Sequence, residues 1–248
     1  MDKKRLRAVV LGAGKGKRLA SEEAGIPKVM RQAGGKPLLG YVLKALGFID
    51  KKDIIIVVGY KREFIQSAFP GYNYAVQEKQ LGTGHAVMAA GGQLEGFEGD
   101  VLICYGDMPL VRTKTYEQLI DYHRREKSAC TILSGISDEK MDFGRILRDE
   151  NGSFLGIREA RDCSEREQMI REYNSGIYIF DCKALSEGLK HLDTDNVQGE
   201  YYLTDVPVIL QKRGYPVSVC TRQLGNEMLG VNTKEQLELV EKLLSGDN

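Results

Sequence analysis

Tryptophan is absent from the 248 residues, histidine occurs three times and cysteine five times. His85, His123 and His191 are too few and too scattered to suggest a histidine-built metal centre or triad. Cys104, Cys130, Cys163, Cys182 and Cys220 are odd in number, widely spaced and never C-x-x-C, which fits reduced thiols better than a disulfide frame or zinc site. Long apolar runs are missing too. The longest wholly aliphatic stretch is Ile54 to Val58, far short of the ~20 residues a membrane span needs. No apolar signal-peptide core follows the basic start. The expectation is a cytoplasmic protein that binds no membrane.

An excess of charge of either sign is also lacking, since 35 Lys+Arg balance 35 Asp+Glu. A nucleic-acid binder would be basic overall, so polyanion binding is disfavoured. The balance is uneven along the chain, however. Residues 1–49 hold 11 basic residues against 3 acidic, and the remainder holds 24 against 32. The N-terminal segment therefore suits a small anionic ligand.

Arg7 to Leu11 reads as a buried strand that breaks at Gly12-Ala13-Gly14-Lys15-Gly16-Lys17-Arg18. Leu38, Leu39, Val42, Leu43 and Leu46 recur at helical spacing, Ile54 to Val58 is a second buried strand, and Thr83 to Gln93 reads as a helix. A strand over Val101 to Cys104 runs into Tyr105-Gly106-Asp107-Met108-Pro109, and a helix over 113–126 follows. Alternating strands and helices predict a largely parallel sheet covered on both faces, with ligands beyond the carboxyl ends of its strands. From about residue 140 the pattern changes. Segments 145–149 and 154–159 flank Asn151-Gly152, a strong hairpin turn signal that predicts an inserted antiparallel lobe. A strand over 176–180, helices near 183–191 and 204–212, a strand over 217–221 and a last helix capped by Thr233 and Gln236 complete the pattern.

Closely spaced glycines after a strand let backbone N–H groups approach phosphate oxygens. The P-loop pattern fails because no Gly-Lys-Ser/Thr stands at the needed spacing. The dinucleotide fingerprint fails because position 17 is Lys and no acid lies between Glu23 and Asp50 to hold a ribose. What remains is a loop with Lys15, Lys17 and Arg18 interleaved and Lys28 soon after, charge that suits a triphosphate and its pyrophosphate leaving group. A tight surface turn with a solvated basic patch is the other reading the loop alone allows.

The segment Leu11 to Leu19 with Pro27-Lys28-Val29 resembles the L-x-A-G-x-G-x-R-[ML]…P-K signature of sugar-nucleotide pyrophosphorylases. Further motifs at Gln77 to Ala86, Tyr105 to Leu110, Gly144 to Ile146, Glu172 to Ile177, Gly199 to Asp205 and Gly230 to Asn232 follow in order. Together they resemble the uridylyltransferase domain of the bacterial bifunctional N-acetylglucosamine-1-phosphate uridylyltransferase/glucosamine-1-phosphate acetyltransferases. The resemblance implies a Rossmann-like α/β nucleotide-diphospho-sugar transferase fold with a mixed, mostly parallel sheet and a small antiparallel hairpin lobe. It implies one domain over 1–248, with a nucleotide half to about 110, a sugar half from about 111 to 232 and a terminal helix over 233–244. The implied partners are UTP and a sugar 1-phosphate, and the implied cofactor is Mg2+.

Site roles follow from the same resemblance. Arg18, Lys28 and Asp107 would be catalytic, and Leu11, Gly12, Ala13, Gly14 and Lys28 would hold the nucleotide phosphates. Gln77, Gln80, Gly82 and Thr83 would read the uracil. Tyr105, Gly144, Glu159, Asn174, Tyr202 and Thr204 would bind the sugar, and Asp107 with Asn232 would hold magnesium. His85 reads as structural, packed under the loop at the start of its helix. The chain departs from the family at Gly12 (usually Ala), Lys17 (usually a small hydroxyl residue), Ser175 (usually Thr) and in a spacer between Arg18 and Pro27 that is about two residues longer. It ends at Asn248, which leads to the expectation of no left-handed β-helix acetyltransferase domain and no trimer built on one. A related transferase with another nucleotide or phosphorylated acceptor, and a non-catalytic nucleotide-sugar sensor, are the alternatives.

Overall fold

Strand β1 (Leu6–Leu11) lies between β4 (Ile54–Val58) and β6 (Asp100–Tyr105), parallel to both. The computed structural model describes residues 4–16, 19 and 25–246. The two-residue strands β2 (Gln32–Ala33) and β3 (Lys36–Pro37) form a separate small ribbon. The main sheet adds β5 (Asn73–Val76) parallel to β4, then continues on the other side with β10 (Glu172–Asp181), β7 (Cys130–Ile136) and β11 (Val217–Arg222). Its order is β11-β7-β10-β6-β1-β4-β5, with β10 antiparallel to both neighbours. Strands β8 (Arg145–Arg148) and β9 (Phe154–Arg158) form the expected hairpin, joined to the sheet through the pair Tyr173–Arg145. The mixed, mostly parallel α/β architecture matches the expectation from sequence.

Alternate residues of the central strands feed two cores. Val9, Leu11, Ile55, Val57, Val101 and Ile103 face one layer of helices: α3 (Thr83–Ala89), α4 (Gly91–Leu94), α6 (Cys182–Leu189) and α7 (Val206–Lys212). Ala8, Val10, Ile54, Ile56, Leu102 and Cys104 face the other: α1 (Leu38–Ala45), α2 (Arg62–Ala68) and α5 (Thr113–Glu126). Burial on both faces explains why these strands are continuous apolar runs rather than alternating ones. Each fully buried Leu, Ile or Val contributes about 1.5–3 kcal/mol relative to exposure.

Several elements differ from the sequence-based expectation. The helix from Thr83 is interrupted at Ala90, leaving α3 and α4, and β10 is twice as long as the strand expected over 176–180. A short 3-10 turn over Leu203–Asp205 precedes α7, whose first turn carries Pro207. The last helix, α8 (Lys234–Ser245), has the expected capping box between Thr233 and Gln236. Among the described residues, no helix is long and apolar enough to cross a membrane.

At the base of β6, the fully buried Asp100 pairs with Lys4 at 2.7 Å and accepts from Arg124 Nε at 3.0 Å, with His123 Nε2 at 3.5 Å. Burial alone would raise its carboxyl, but the hydrogen bonds from His123, Lys4 and Arg124 outweigh that and bring it down to about 2. The folded value lies below the unfolded one, so this stabilisation is complete above about pH 4 and is lost as the pH falls towards 2. The urea midpoint of the wild type should therefore drop more between pH 5 and pH 3 than that of Asp100→Asn, which lacks the titrating group. Equal drops would show that Asp100 does not govern acid stability.

Candidate nucleotide and sugar site

The sheet reverses its winding between β1 and β6, because the chain builds β4 and β5 on one side of β1 before returning to the other. Such a switch point opens a crevice at the carboxyl ends of the strands. A cavity of about 380 Å³ lies here, lined by Leu11, Gly12, Ala13 and Gly14 after β1 and by Tyr105 and Asp107 after β6. Gly12 donates its N–H to Val57 O at 2.9 Å, and Gly106 donates to Leu11 O at 2.9 Å, so both turns are pinned to the sheet. Because the Gly12 N–H is already engaged, the amides open to a phosphate begin at Ala13.

Asp107 and Asn232 are far apart in sequence, yet their backbones are tied together. Val231 N donates to Asp107 O at 3.0 Å, and Gln236 of the capping box accepts from Asn232 N at 2.7 Å. The side chains converge on one ammonium: Lys28 Nζ donates to Asn232 Oδ1 at 2.6 Å and forms a close ion pair with Asp107 Oδ2. Lys28 and Asp107 are largely buried, and all three residues line the cavity wall. Arg18, the other basic residue expected at this point, lies outside the described residues, as does Lys17.

On the β5 side, Gln77, Gln80, Gly82 and Thr83 all line the cavity. Gly82 has φ +112°, and a Cβ there would stand 2.5 Å from Tyr201 O, so only glycine fits. The loop is closed onto the segment before α7 by Tyr201 N donating to Leu81 O at 2.9 Å and Gly84 N donating to Tyr201 O at 2.8 Å. Thr83 Oγ1 accepts from Leu203 N at 3.1 Å.

The opposite bank comes from the hairpin and from β10. Gly144, Glu159 and Asn174 line the cavity, whereas Tyr202 and Thr204 are buried residues outside its lining. Thr204 donates to Glu159 Oε1 at 3.0 Å, and the Tyr202 hydroxyl accepts from Gln198 Nε2 at 2.7 Å. Burial raises the Glu159 carboxyl, and the charges of Asp162, Asp205 and Asp142 add to the rise, against the opposing hydrogen bond from Thr204. Burial also raises the Tyr105 hydroxyl, helped by the charges of Glu159 and Asp107. Asn174 sits at an irregularity where β10 slips register against β7 between Asn174 and Tyr178. Its amide braces that bulge, accepting from Gly176 N at 3.1 Å and donating to the Tyr178 hydroxyl at 2.7 Å.

Sequence reasoning did not single out Asp142, Phe143, Gly176 or Glu200, which also line the cavity. Glu200 and Gly176 each fall inside one of the motifs named above, so a signal existed for them. Asp142 and Phe143 precede the motif at Gly144 and carried none. Among the described residues no group of three or more His, Cys, Asp or Glu side chains could hold a metal. The paired oxygens of Asp107 and Asn232, already sharing a cation, are nonetheless hard donors of the kind magnesium prefers when substrate and water complete its shell.

Comparison with known proteins agrees with this architecture. The chain is 40% identical over 238 residues to the bifunctional protein GlmU of Streptococcus thermophilus, a match that covers 96% of this chain and 51% of the relative. It is 42% identical over 240 residues to the bifunctional protein GlmU of Caldanaerobacter subterraneus subsp. tengcongensis, with the same shares covered. The chain thus spans about half the length of the curated relatives it matches. A solved structure from Bacillus anthracis, assigned as a glucose-1-phosphate thymidylyltransferase and holding a sucrose, superposes with a TM-score of 0.77 at 21% identity, covering 98% of this chain and 97% of that one. At that identity the likeness is one of fold. The MobA-like NTP transferase domain matches residues 8–170. A match over more than half of the chain makes this protein a member of the MobA-like NTP transferase domain family, and so a nucleotidyltransferase.

Proposed function

We propose that the chain transfers UMP from UTP to N-acetylglucosamine 1-phosphate, releasing pyrophosphate, with magnesium as cofactor. The observation that carries this reading is the meeting of Lys28, Asp107 and Asn232 at one point of a cavity with an amide-lined pocket on one side and Glu159 on the other. The similarity to the two relatives named GlmU supports a nucleotidyl transfer of this kind.

The amides from Ala13 onward and the Lys28 ammonium face the triphosphate, with Arg18 as a further cation. Gln77 and the Gly82–Thr83 backbone read the base. Glu159, held in place by Thr204, accepts from sugar hydroxyls, and Gly144 lets the acceptor approach the hairpin backbone. The sugar phosphate oxygen attacks the α-phosphorus in line, and pyrophosphate leaves on the opposite side. No enzyme-bound intermediate is required, so catalysis is positioning plus neutralisation of charge. Asp107 and Asn232 would hold magnesium, which when bound would supply additional positive charge at the phosphates. Lys28 must then exchange its present partners for phosphate oxygens.

The test is pyrophosphate release across a panel of nucleoside triphosphates and sugar 1-phosphates, with and without magnesium. UTP with N-acetylglucosamine 1-phosphate should give the highest kcat/KM, and chelation of magnesium should abolish it. Preference for CTP or dTTP over UTP would overturn the nucleotide assignment, and preference for glucose 1-phosphate would overturn that of the sugar.

A further inference from the structure

We propose that His85 sets the base preference of this site by acting with the Gly82 carbonyl to hold the Gln77 side-chain amide with its nitrogen turned away from the base. The inference rests on the uridylyl-transfer reading above and adds a positioning residue to it.

Gln77 is only 4% exposed and lines the cavity. Its side-chain nitrogen lies 3.0 Å from Gly82 O and 3.1 Å from His85 Nδ1. A carbonyl oxygen can only accept, so the amide must turn its nitrogen, not its oxygen, towards Gly82. His85 Nδ1 then meets a pure donor and must carry a lone pair, which places the ring proton on Nε2. Both Nε2 hydrogens of Gln77 are thereby used. Oε1 has no partner among the described residues, and it is the atom this side chain offers to a base.

His85 is itself held. It lies in the first turn of α3, and its ring stacks against Tyr201 with centroids 6.3 Å apart at 28°. The Tyr201 backbone is bonded to Leu81 and Gly84 on either side of the Gly82 turn. The acceptor nitrogen therefore has a fixed position relative to Gln77.

The consequence is chemical selectivity. Uracil presents an N–H between two carbonyls, whereas cytosine presents an unprotonated nitrogen at the same ring position. An acceptor at Gln77 Oε1 matches the first and faces the second lone pair to lone pair. Without the His85 acceptor, one Gln77 hydrogen loses its partner and only the Gly82 carbonyl still restrains the amide, so the share of molecules that turn a hydrogen to the cavity rises.

The experiment compares wild type, His85→Asn and His85→Phe in steady-state turnover of UTP and CTP at saturating sugar 1-phosphate. Asparagine keeps an acceptor near the Nδ1 position, and phenylalanine keeps the ring without the acceptor. His85→Phe should lower the UTP/CTP ratio of kcat/KM about tenfold, the weight of one such hydrogen bond. The loss should appear in KM for UTP, with KM for the sugar phosphate unchanged, and His85→Asn should keep the wild-type ratio. A ratio unchanged in His85→Phe, or an equal loss for both nucleotides, would overturn the proposal. Nitrogen NMR of the wild type supplies a readout that needs no variant: the ring should be protonated at Nε2, and a proton on Nδ1 would also overturn it. A wild type that turns over other nucleotides but not UTP would sink the uridylyl reading, and this inference with it, before any variant is made.

Discussion

Asp107→Asn should lower kcat by about 10²–10³ while the protein remains folded, because the substitution removes a charge and almost nothing else. The amide keeps the shape of the carboxylate and can still accept from Lys28 through its oxygen. The tie between Val231 N and Asp107 O is a backbone bond and survives. What disappears is the negative charge where the Lys28 ammonium is held and where the proposed magnesium would sit. Steady-state pyrophosphate release checks the rate, and calorimetric unfolding checks the fold. A variant with wild-type kcat would remove Asp107 from the proposed ion site. A lowered kcat with an unchanged KM for the sugar phosphate would mark a loss confined to the phosphate end.

Gly82→Ala should be the most damaging single methyl in the nucleotide bank. The residue adopts φ +112° and ψ 175°, a region that residues with a side chain scarcely enter. The added carbon would also meet Tyr201 O at 2.5 Å and Tyr201 N at 2.8 Å. Neither backbone atom can move alone, since Tyr201 N and O are bonded to Leu81 and Gly84. Strain and displacement together should cost about 3 kcal/mol, or about 10 °C in Tm for a chain of this size. The uridine pocket would open with it, so KM for UTP should rise at least about tenfold if one base contact is lost. Gly92→Ala is the control: it lies in α4 outside the cavity lining, and a Cβ there would have nothing within 4 Å. Unaltered Tm and KM in Gly82→Ala would show that the turn tolerates a different path.

Apart from the partly exposed edge strand β5, which shows no apolar run, the parallel strands β1, β4 and β6 were legible from the sequence because they are buried on both faces and read as plain apolar runs. Strand β7 was not. It contains Thr131 and Ser134, polar residues that look misplaced in a core strand yet are satisfied inside it. Thr131 bonds to Ser218 and His123, and Ser134 to Glu172 and Thr221. Those partners come from other elements, so local pattern cannot disclose them. The break at Ala90, by contrast, was announced by Gly91-Gly92 directly after it, a breaker signal that the reading of one helix over Thr83 to Gln93 passed over.

The candidate site was legible in a different way. The glycine loop carried its own physical signal, but the convergence of Lys28, Asp107 and Asn232 depends on how three distant turns meet and was reached only through the family pattern. The same pattern named Thr204 and Tyr202 without distinguishing residues that line the cavity from buried residues outside its lining. Thr204 acts on Glu159. Asn174 lines the cavity with its amide committed to the bulge. Such distinctions require side-chain geometry.

The hairpin β8–β9 joins the main sheet through one paired position, Tyr173 with Arg145. The nucleotide bank, by contrast, grows directly from strands paired along their lengths. Beyond the pair Tyr173–Arg145 the hairpin region is held by Asn174 N on Gly144 O at 2.8 Å, Arg148 on Glu172 and Thr204 on Glu159, rather than by a strand ladder. Variation in the hairpin can reshape the acceptor side without disturbing the register of β1, β4 and β6. A single scaffold can thereby keep its chemistry at the phosphates while its preference for the acceptor drifts.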